Sequence, residues 1–327
     1  MDFKIVLRRF SKIVCASTFA LIFVGGMVTS TDSGLSVPDW PLSYGMLFPP
    51  MVGGVFYEHG HRMVAAVVGF LTLIFAIGLA LKEKRKWVKV LGFCALGSVI
   101  LQGVLGGITV LFYLPDAISV AHGVLAQIFF MITIVLSYSL SKERRDAFDQ
   151  KRIVSTKFVK LAVGFFVLLF LQLIIAAIMR HTKSGLAIPD FPTMGGYWIP
   201  PFDHTMQARI NDRLFELNRD AVTMPQIVIH FIHRVMAFAI LIYAFVLTKV
   251  GVKDYRGISK VLVTLRILGG LLVAQIALGI ATVLTHRASI ITSLHVVTGA
   301  GLLGISLLLI LRSSPLTWKE FKSGFCN

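Results

Sequence analysis

The chain has 327 residues, 56% of them hydrophobic and only 15% charged, with a mean hydropathy of +0.81. That balance excludes an ordinary water-soluble domain, which is less apolar and more charged, and identifies a polytopic membrane protein. The net charge of +16, from 32 basic and 16 acidic residues, argues for topology rather than nucleic-acid binding, because the basic residues recur in particular connecting segments.

A bilayer crossing needs about 20 apolar residues, and the first such run is 12–30. Lys4, Arg8, Arg9 and Lys12 lie at its start. The run is too long, too basic and too poor in a small-residue cleavage site to read as a removed signal peptide, so it is the first span. Residues 31–57 contain no Lys or Arg, and they include TDSGLSVPDWP, residues 31–41. Span 2, 59–81, opens on YEHGHRM, which carries Glu58, His59, His61 and Arg62. A basic connection with Lys82, Lys84, Arg85, Lys86 and Lys89 leads to span 3, 88–112, and span 4, 117–140, has His122 near its start. Residues 141–157 form a charged linker with Lys142, Arg144, Arg145, Lys151 and Arg152.

After span 5, 158–179, comes TKSGLAIPDFP, residues 182–192, which shares T-x-S-G-L-x-x-P-D-aromatic-P with residues 31–41. Span 6, 226–248, opens on IHFIHRVM with His230, His233 and Arg234; spans 7 and 8 are 261–284 and 289–311, the last containing His295. Lys249, Lys253, Arg256 and Lys260 follow span 6, and Lys319 and Lys322 follow span 8. The basic segments alternate along the chain, so the positive-inside rule places both termini in the cytoplasm. Cys15 and Cys94 lie inside spans and Cys326 lies in the tail, which leaves no pair for a structural disulfide.

The repeat runs through the whole chain. QGVLGGITVL (102–111) aligns with QIALGIATVL (275–284), His61-Arg62 with His233-Arg234, and His122 with His295. The expected fold is all-α: eight transmembrane helices in two pseudo-symmetric four-helix bundles, residues 1–140 and 158–327, joined by 141–157. The first loops align at an offset of 182 − 31 = 151 and the helices after them at 233 − 61 = 172, so the second half carries about 21 extra residues within 201–225. That insertion is expected to form a short amphipathic helix at the membrane interface. The two Gly- and Pro-containing loops read as ordered turns over the bundle ends, as a structural lid or as a substrate contact.

Polar residues inside spans are costly and mark sites. A single histidine there is often a packing residue. Four of them, His61, His122, His233 and His295, each about four or five residues into its span, place two repeated pairs at one depth. Imidazole pairs from facing helices suit the axial positions of haem iron, whereas zinc wants a tetrahedral set of further ligands that the second half lacks. Gly60, Gly103, Gly106, Gly107 and Gly123, with Gly279, Gly299 and Gly301, leave room for a flat macrocycle or serve ordinary helix packing. Arg62 and Arg234 are candidates for haem propionates, or for interfacial snorkelling. Glu58 has His230 as its counterpart, so only the first half has a carboxylate one turn from its ligand, placed to accept a proton or stabilise positive charge. His59 reads as a boundary residue, and His181, His204 and His286 are assigned no role.

E-x-x-H-R opening span 2, one histidine opening each of spans 4, 6 and 8, and the SGL-x-x-PDWP loop together resemble the haem A synthase family over nearly the whole chain. The resemblance implies successive hydroxylations that convert the C8 methyl of haem O to the formyl of haem A for terminal oxidases. It implies that His61 and His122, with Glu58, hold the substrate haem O and that His233 and His295 hold a haem B cofactor. It further implies a bacterial-type plasma membrane with the haem sites toward the outer side, and a haem O synthase, terminal-oxidase assembly partners or a second copy of the chain as partners. Many bacterial members have a cysteine at each end of the PDWPL-type stretch, where this chain has Ser36-Val37 and Ser43, so no redox role for such a pair operates here. The rival readings are a quinol-linked di-haem electron-transfer protein of the cytochrome b kind and a haem carrier.

Overall fold

The computed structural model of the protein describes residues 3–149 and 154–314. Cys326, Lys319 and Lys322, and the Lys151-Arg152 part of the linker, lie outside the described residues. Among the described residues eight helices are long and apolar enough to cross a membrane: α1 (Phe3–Ser30), α2 (Gly54–Lys82), α3 (Lys86–Leu111), α4 (Asp116–Ser139), α6 (Thr156–His181), α8 (Met224–Asp254), α9 (Ser259–Leu284) and α10 (Ser289–Ser313). Two shorter helices, α5 (Lys142–Asp149) in the linker and α7 (His204–Glu216) in the insertion, complete the set. Among the described residues there is no strand beyond two isolated bridges, and the chain is an all-α, multi-pass membrane protein.

Each helix begins or ends a little beyond the apolar run that announces it. Helix α1 starts at Phe3, ahead of Arg8 and Lys12, and α8 starts at a Thr223 capping box with Pro225 in its first turn. Backbone hydrogen bonding carries a helix past its apolar residues, and hydropathy does not register that.

The helices α1 to α4 pack on one another around Val14, Val68, Phe75, Leu79, Ala95 and Phe129. A second cluster joins α6, α8, α9 and α10 through Phe158, Phe165, Leu247, Leu265, Leu268 and Leu303, with Phe130 and Met131 of α4 reaching into it. The two groups meet where α1 and α4 pack against α10, and α4 against α6. Outward-facing residues such as Phe70, Phe93, Phe238 and Val273 are exposed, as they must be on surfaces whose solvent is lipid.

The linker side is tied by polar bonds. Arg312 of α10 holds Glu143 of α5 by two bonds, 2.7 and 3.0 Å, and donates to Thr264 of α9 at 2.7 Å. Buried Tyr255 donates to the Ser313 carbonyl at 2.9 Å and accepts the Ser155 N–H at 3.2 Å.

On the opposite side the two long loops fold alike. Asp39 accepts the N–H groups of Tyr44 and Gly45 (2.7 and 2.8 Å), and Asp190 accepts those of Gly195 and Gly196 (2.7 and 2.9 Å). Gly45, Gly195 and Gly196 have φ of 70°, 65° and 82°, a region that favours glycine. Both loops contain a cis proline, at Trp40-Pro41 and Phe191-Pro192.

The insertion corrects one expectation. Helix α7 is amphipathic, but its stripe of Met206, Ile210 and Leu214 is buried against Leu186, Ala187, Ile188, Val222 and Ile227. Its apolar face covers the second loop instead of lying on lipid.

Candidate functional site

The four repeated histidines lie on α2, α4, α8 and α10, near the long-loop ends. They sit deeper than the sequence suggests: His61 is seven residues past Gly54, His122 six past Asp116, His233 nine past Met224 and His295 six past Ser289. At 1.5 Å per residue that is about 9–14 Å below the helix starts. The helices α2 and α8 start ahead of the apolar runs 59–81 and 226–248, at Gly54 and Met224, which accounts for part of the difference.

The rings of His233 and His295 face one another, with centroids 6.5 Å apart and planes at 71°. An imidazole nitrogen bonds a transition metal at about 2 Å, and the ring centre lies about 1 Å behind it, so two axial imidazoles on one metal have centres about 6 Å apart. The observed spacing fits that arrangement. His61 and His122 are likewise electrostatic neighbours. The Nδ1 atoms of His61 and His233 are buried without a hydrogen-bond partner, so structural bonding does not explain why these two imidazoles are there, whereas His295 Nδ1 lies 3.2 Å from the Gln275 carbonyl. Among the described residues no group of three or more His, Cys, Asp or Glu side chains is gathered for a metal ion, which is consistent with a ligand that brings its own equatorial nitrogens.

Glycines give the rings their clearance. A Cβ at Gly106 would lie 3.4 Å from Cε1 of His122, one at Gly279 3.0 Å from Cε1 of His295, and one at Gly25 3.1 Å from Cε1 of His61. Of the other glycines picked out in the sequence, Gly60 lies near only Met51, Gly103 and Gly123 border open space, Gly107 packs under the Trp40 ring, Gly299 meets Gln275 and Gly301 meets Phe19. Gly25 escapes sequence reasoning because it belongs to α1, which carries no ligand. The backbone around the rings is braced by Gln102, donating to the His122 carbonyl, and Gln172, donating to the His233 carbonyl, both at 2.9 Å.

Above each pair a helix-borne latch holds the loop. Glu58, 4% exposed, accepts the Val37 N–H at 2.8 Å and pairs with Arg62 at 2.6 Å. His230 occupies the same position in the second set: it accepts the Ile188 N–H at 3.1 Å and meets Arg234 at 3.3 Å. Arg62 also donates to the carbonyls of Asp39 (2.7 Å), Leu42 (2.8 Å) and Val37 (3.4 Å), and Arg234 to those of Ile188 (2.9 Å), Asp190 (2.9 Å) and Thr193 (3.3 Å). Both guanidiniums are therefore engaged in holding loops, a third use beside the propionate and snorkelling readings.

His59 is more than a boundary residue. It is buried, and its Nδ1 is 2.8 Å from Oγ of fully buried Ser43. His204 is exposed at the start of α7, and the His286 carbonyl accepts from Arg219 at 3.1 Å.

A family model described as Cytochrome oxidase assembly protein matches residues 8–54 and 52–307. The chain belongs to that family. The heme A synthase of Shouchella clausii is 27% identical over 289 residues, 87% of this chain and 89% of the relative. That of Halalkalibacterium halodurans is 26% identical over 293 residues, 88% and 91% of the two chains. That of Ruegeria pomeroyi is 26% identical over 346 residues, 90% and 85%. Membership covers both long loops and all four histidine-bearing helices, so the whole arrangement described above lies within the matched residues.

Proposed function

We propose that the chain is a haem A synthase that converts the C8 methyl of haem O to a formyl by successive hydroxylations, with His61 and His122 holding the substrate and His233 and His295 holding haem B. The single observation that carries the reading is the facing pair His233 and His295 at 6.5 Å, repeated in sequence by His61 and His122 within a chain whose relatives bear the name heme A synthase. When bound, haem B supplies one-electron redox chemistry.

The substrate belongs to the first pair because Glu58 stands one helical turn from His61, whereas His230 stands in its place in the second set. Glu58 is fixed by the Val37 N–H and Arg62, so its carboxylate is held at a defined position beside the site. It is placed to take a proton released as the methyl is oxidised. Arg62 and Arg234 orient the loops that close the sites and exclude water. A substrate with a long apolar tail reaches such a site laterally from lipid; the basic segments on the linker side put the termini in the cytoplasm and, with that, the long loops and the haem sites toward the outer side.

The rival electron-transfer reading expects ligands recurring along one helix to stack haems across the membrane. Here α2, α4, α8 and α10 each have their ligand candidates at the long-loop end alone. Co-expression with a haem O synthase, followed by purification, haem extraction and chromatography with mass detection, tests the proposal. Haem A or a hydroxylated haem O beside haem B is the expected result; haem B alone, with no oxidised product in the membranes, refutes it.

A further inference from the structure

Arg180 is the penultimate residue of α6, one position beyond the apolar run that marks the span. Its Nη2 donates to the Gly26 carbonyl at 2.7 Å and to Ser30 Oγ at 3.4 Å, both on α1. That stretch of α1 touches the surroundings of both histidine pairs. Gly25 abuts His61, and Gly26 faces Ser293, two residues ahead of His295 on α10. Ser289, at the start of α10, donates to the Ser30 carbonyl at 2.8 Å. The guanidinium therefore sits between the two candidate sites.

None of the four ion pairs among the described residues includes Arg180. Its charged neighbours are Arg287, a second cation, and Asp32. Arginine stays charged in any protein setting and carries five N–H donors. The two bonds from Nη2 fix the plane of the group, while Nε and Nη1 donate to no acceptor among the described residues. A cation at membrane depth without a carboxylate partner is costly and marks a function. The aligned position on α1, 180 − 151 = 29, is Thr29, so the repeat does not require an arginine there. Arg62 and Arg234, by contrast, have their donors engaged with loop carbonyls.

We propose that Arg180, at the junction of the two sites, binds a carboxylate side chain of a haem held by one of the two histidine pairs. The three free N–H groups of a guanidinium already oriented by α1 make charge-assisted bonds to a carboxylate, and the ligand supplies the missing counter-charge. The inference rests on the haem reading above, and its test separates the two. The apo-protein in detergent is titrated with iron protoporphyrin IX and, separately, with its dimethyl ester, following the Soret band, for wild type, Arg180→Lys and Arg180→Met.

Wild type is expected to bind the free acid at least about tenfold more tightly than the ester. Arg180→Met is expected to lose that preference while keeping its affinity for the ester, with Arg180→Lys in between. Retained ester binding shows that the variant is folded. If Arg180→Met keeps the preference for the acid, or loses affinity for acid and ester equally, Arg180 is a structural strut and the inference is wrong. If wild type binds neither porphyrin, the haem reading itself falls and takes this one with it. A preference for the acid that inorganic phosphate or anionic lipid abolishes in wild type identifies a general anion site and also refutes a haem-specific role.

Discussion

The two loop latches differ in one respect that can be measured. Glu58 is a carboxylate and accepts from both the Val37 N–H and Arg62. His230 faces the same two kinds of donor, yet a neutral imidazole accepts at only one nitrogen. It can take the Ile188 N–H at Nδ1, 3.1 Å away, or the Nε–H of Arg234 at Nε2, 3.3 Å away, but not both at once. The bond that holds the Val37 N–H is charge-assisted, because a carboxylate accepts it, whereas an imidazole that accepts the Ile188 N–H does so as a neutral group. Hydrogen bonds to charged groups contribute about 1.5–3 kcal/mol and neutral ones about 0.5–1.5 kcal/mol. At about 1.4 kcal/mol per factor of ten, Glu58→Ala should speed local opening at Val37 by about 10- to 100-fold, and His230→Ala at Ile188 by about 2- to 10-fold. Glu58→Gln, which keeps one neutral acceptor, should fall between. Amide hydrogen exchange read by mass spectrometry on peptides spanning residues 34–44 and 185–195 reports both. Equal effects of the two alanine variants would show that the charge of Glu58 adds nothing, and no effect in the first loop would show that Glu58 does not hold it.

Three more outcomes are expected. Gly279→Ala places a Cβ 3.0 Å from His295, so the ring must shift by a few tenths of an ångström; haem bound per polypeptide should fall modestly, and Gly279→Leu should abolish binding at that pair, as absorbance spectra will show. Arg312→Met removes both bonds to Glu143 and should raise the rate of protease cleavage in the linker with little change in haem content, since the two groups are partly exposed and such pairs contribute about 1 kcal/mol or less. The N–H of Gly45, above all, holds Asp39 below its ordinary value of 3.8. For Asp190, burial pushes the carboxyl up, but bonds from Thr193, Gly196 and Gly195 outweigh it and the net shift is also downward. A depressed carboxylate stabilises the fold above its unfolded value and loses that contribution as pH falls through its folded value. Both turns should therefore hold near about pH 5 and open as pH drops below about 4, when pepsin cleavage of the loops should rise, and Asp190→Asn should lose that dependence in the second loop.

Hydropathy and the internal repeat made most of the fold legible, because eight apolar runs and a repeat offset that steps once, from 151 to 172, are one-dimensional signals. The four histidines were legible for the same reason: a polar residue in an apolar run is costly, and the same cost met again at the matching position of the repeat points to a site. What escaped was whatever depends on contact between distant segments. Gly25 belongs to a helix with no ligand of its own, and its use is visible only when α1 lies against His61. The arginine next to each ligand looked free for a propionate, yet a long side chain one turn from a loop finds carbonyls first. Arg180 was passed over because it falls just beyond the last apolar residue of its span. The apolar stripe of α7 is the same whether it meets lipid or protein, and only the packed structure distinguishes the two.

The deepest difference between the two sets of helices is confined to adjacent positions. Where α2 has Glu58-His59, α8 has His230-Phe231. His59 bonds Ser43 of its loop at 2.8 Å, while Phe231 packs edge-on against Phe202, with ring centres 5.0 Å apart and planes at 79°. Met194 stands where Ser43 does. The seam between loop and helix is therefore polar in the first set and apolar in the second, on a backbone that repeats down to the turn geometry of the loops. The proposed division of the two sites into substrate and electron-carrying haem gives this divergence a use. Electron transfer needs a dry, rigid surround that keeps a haem in place, and the apolar seam supplies it. Oxidation of a carbon centre releases protons and needs groups that receive them, and the polar seam with Glu58 supplies those, which supports placing the substrate between His61 and His122.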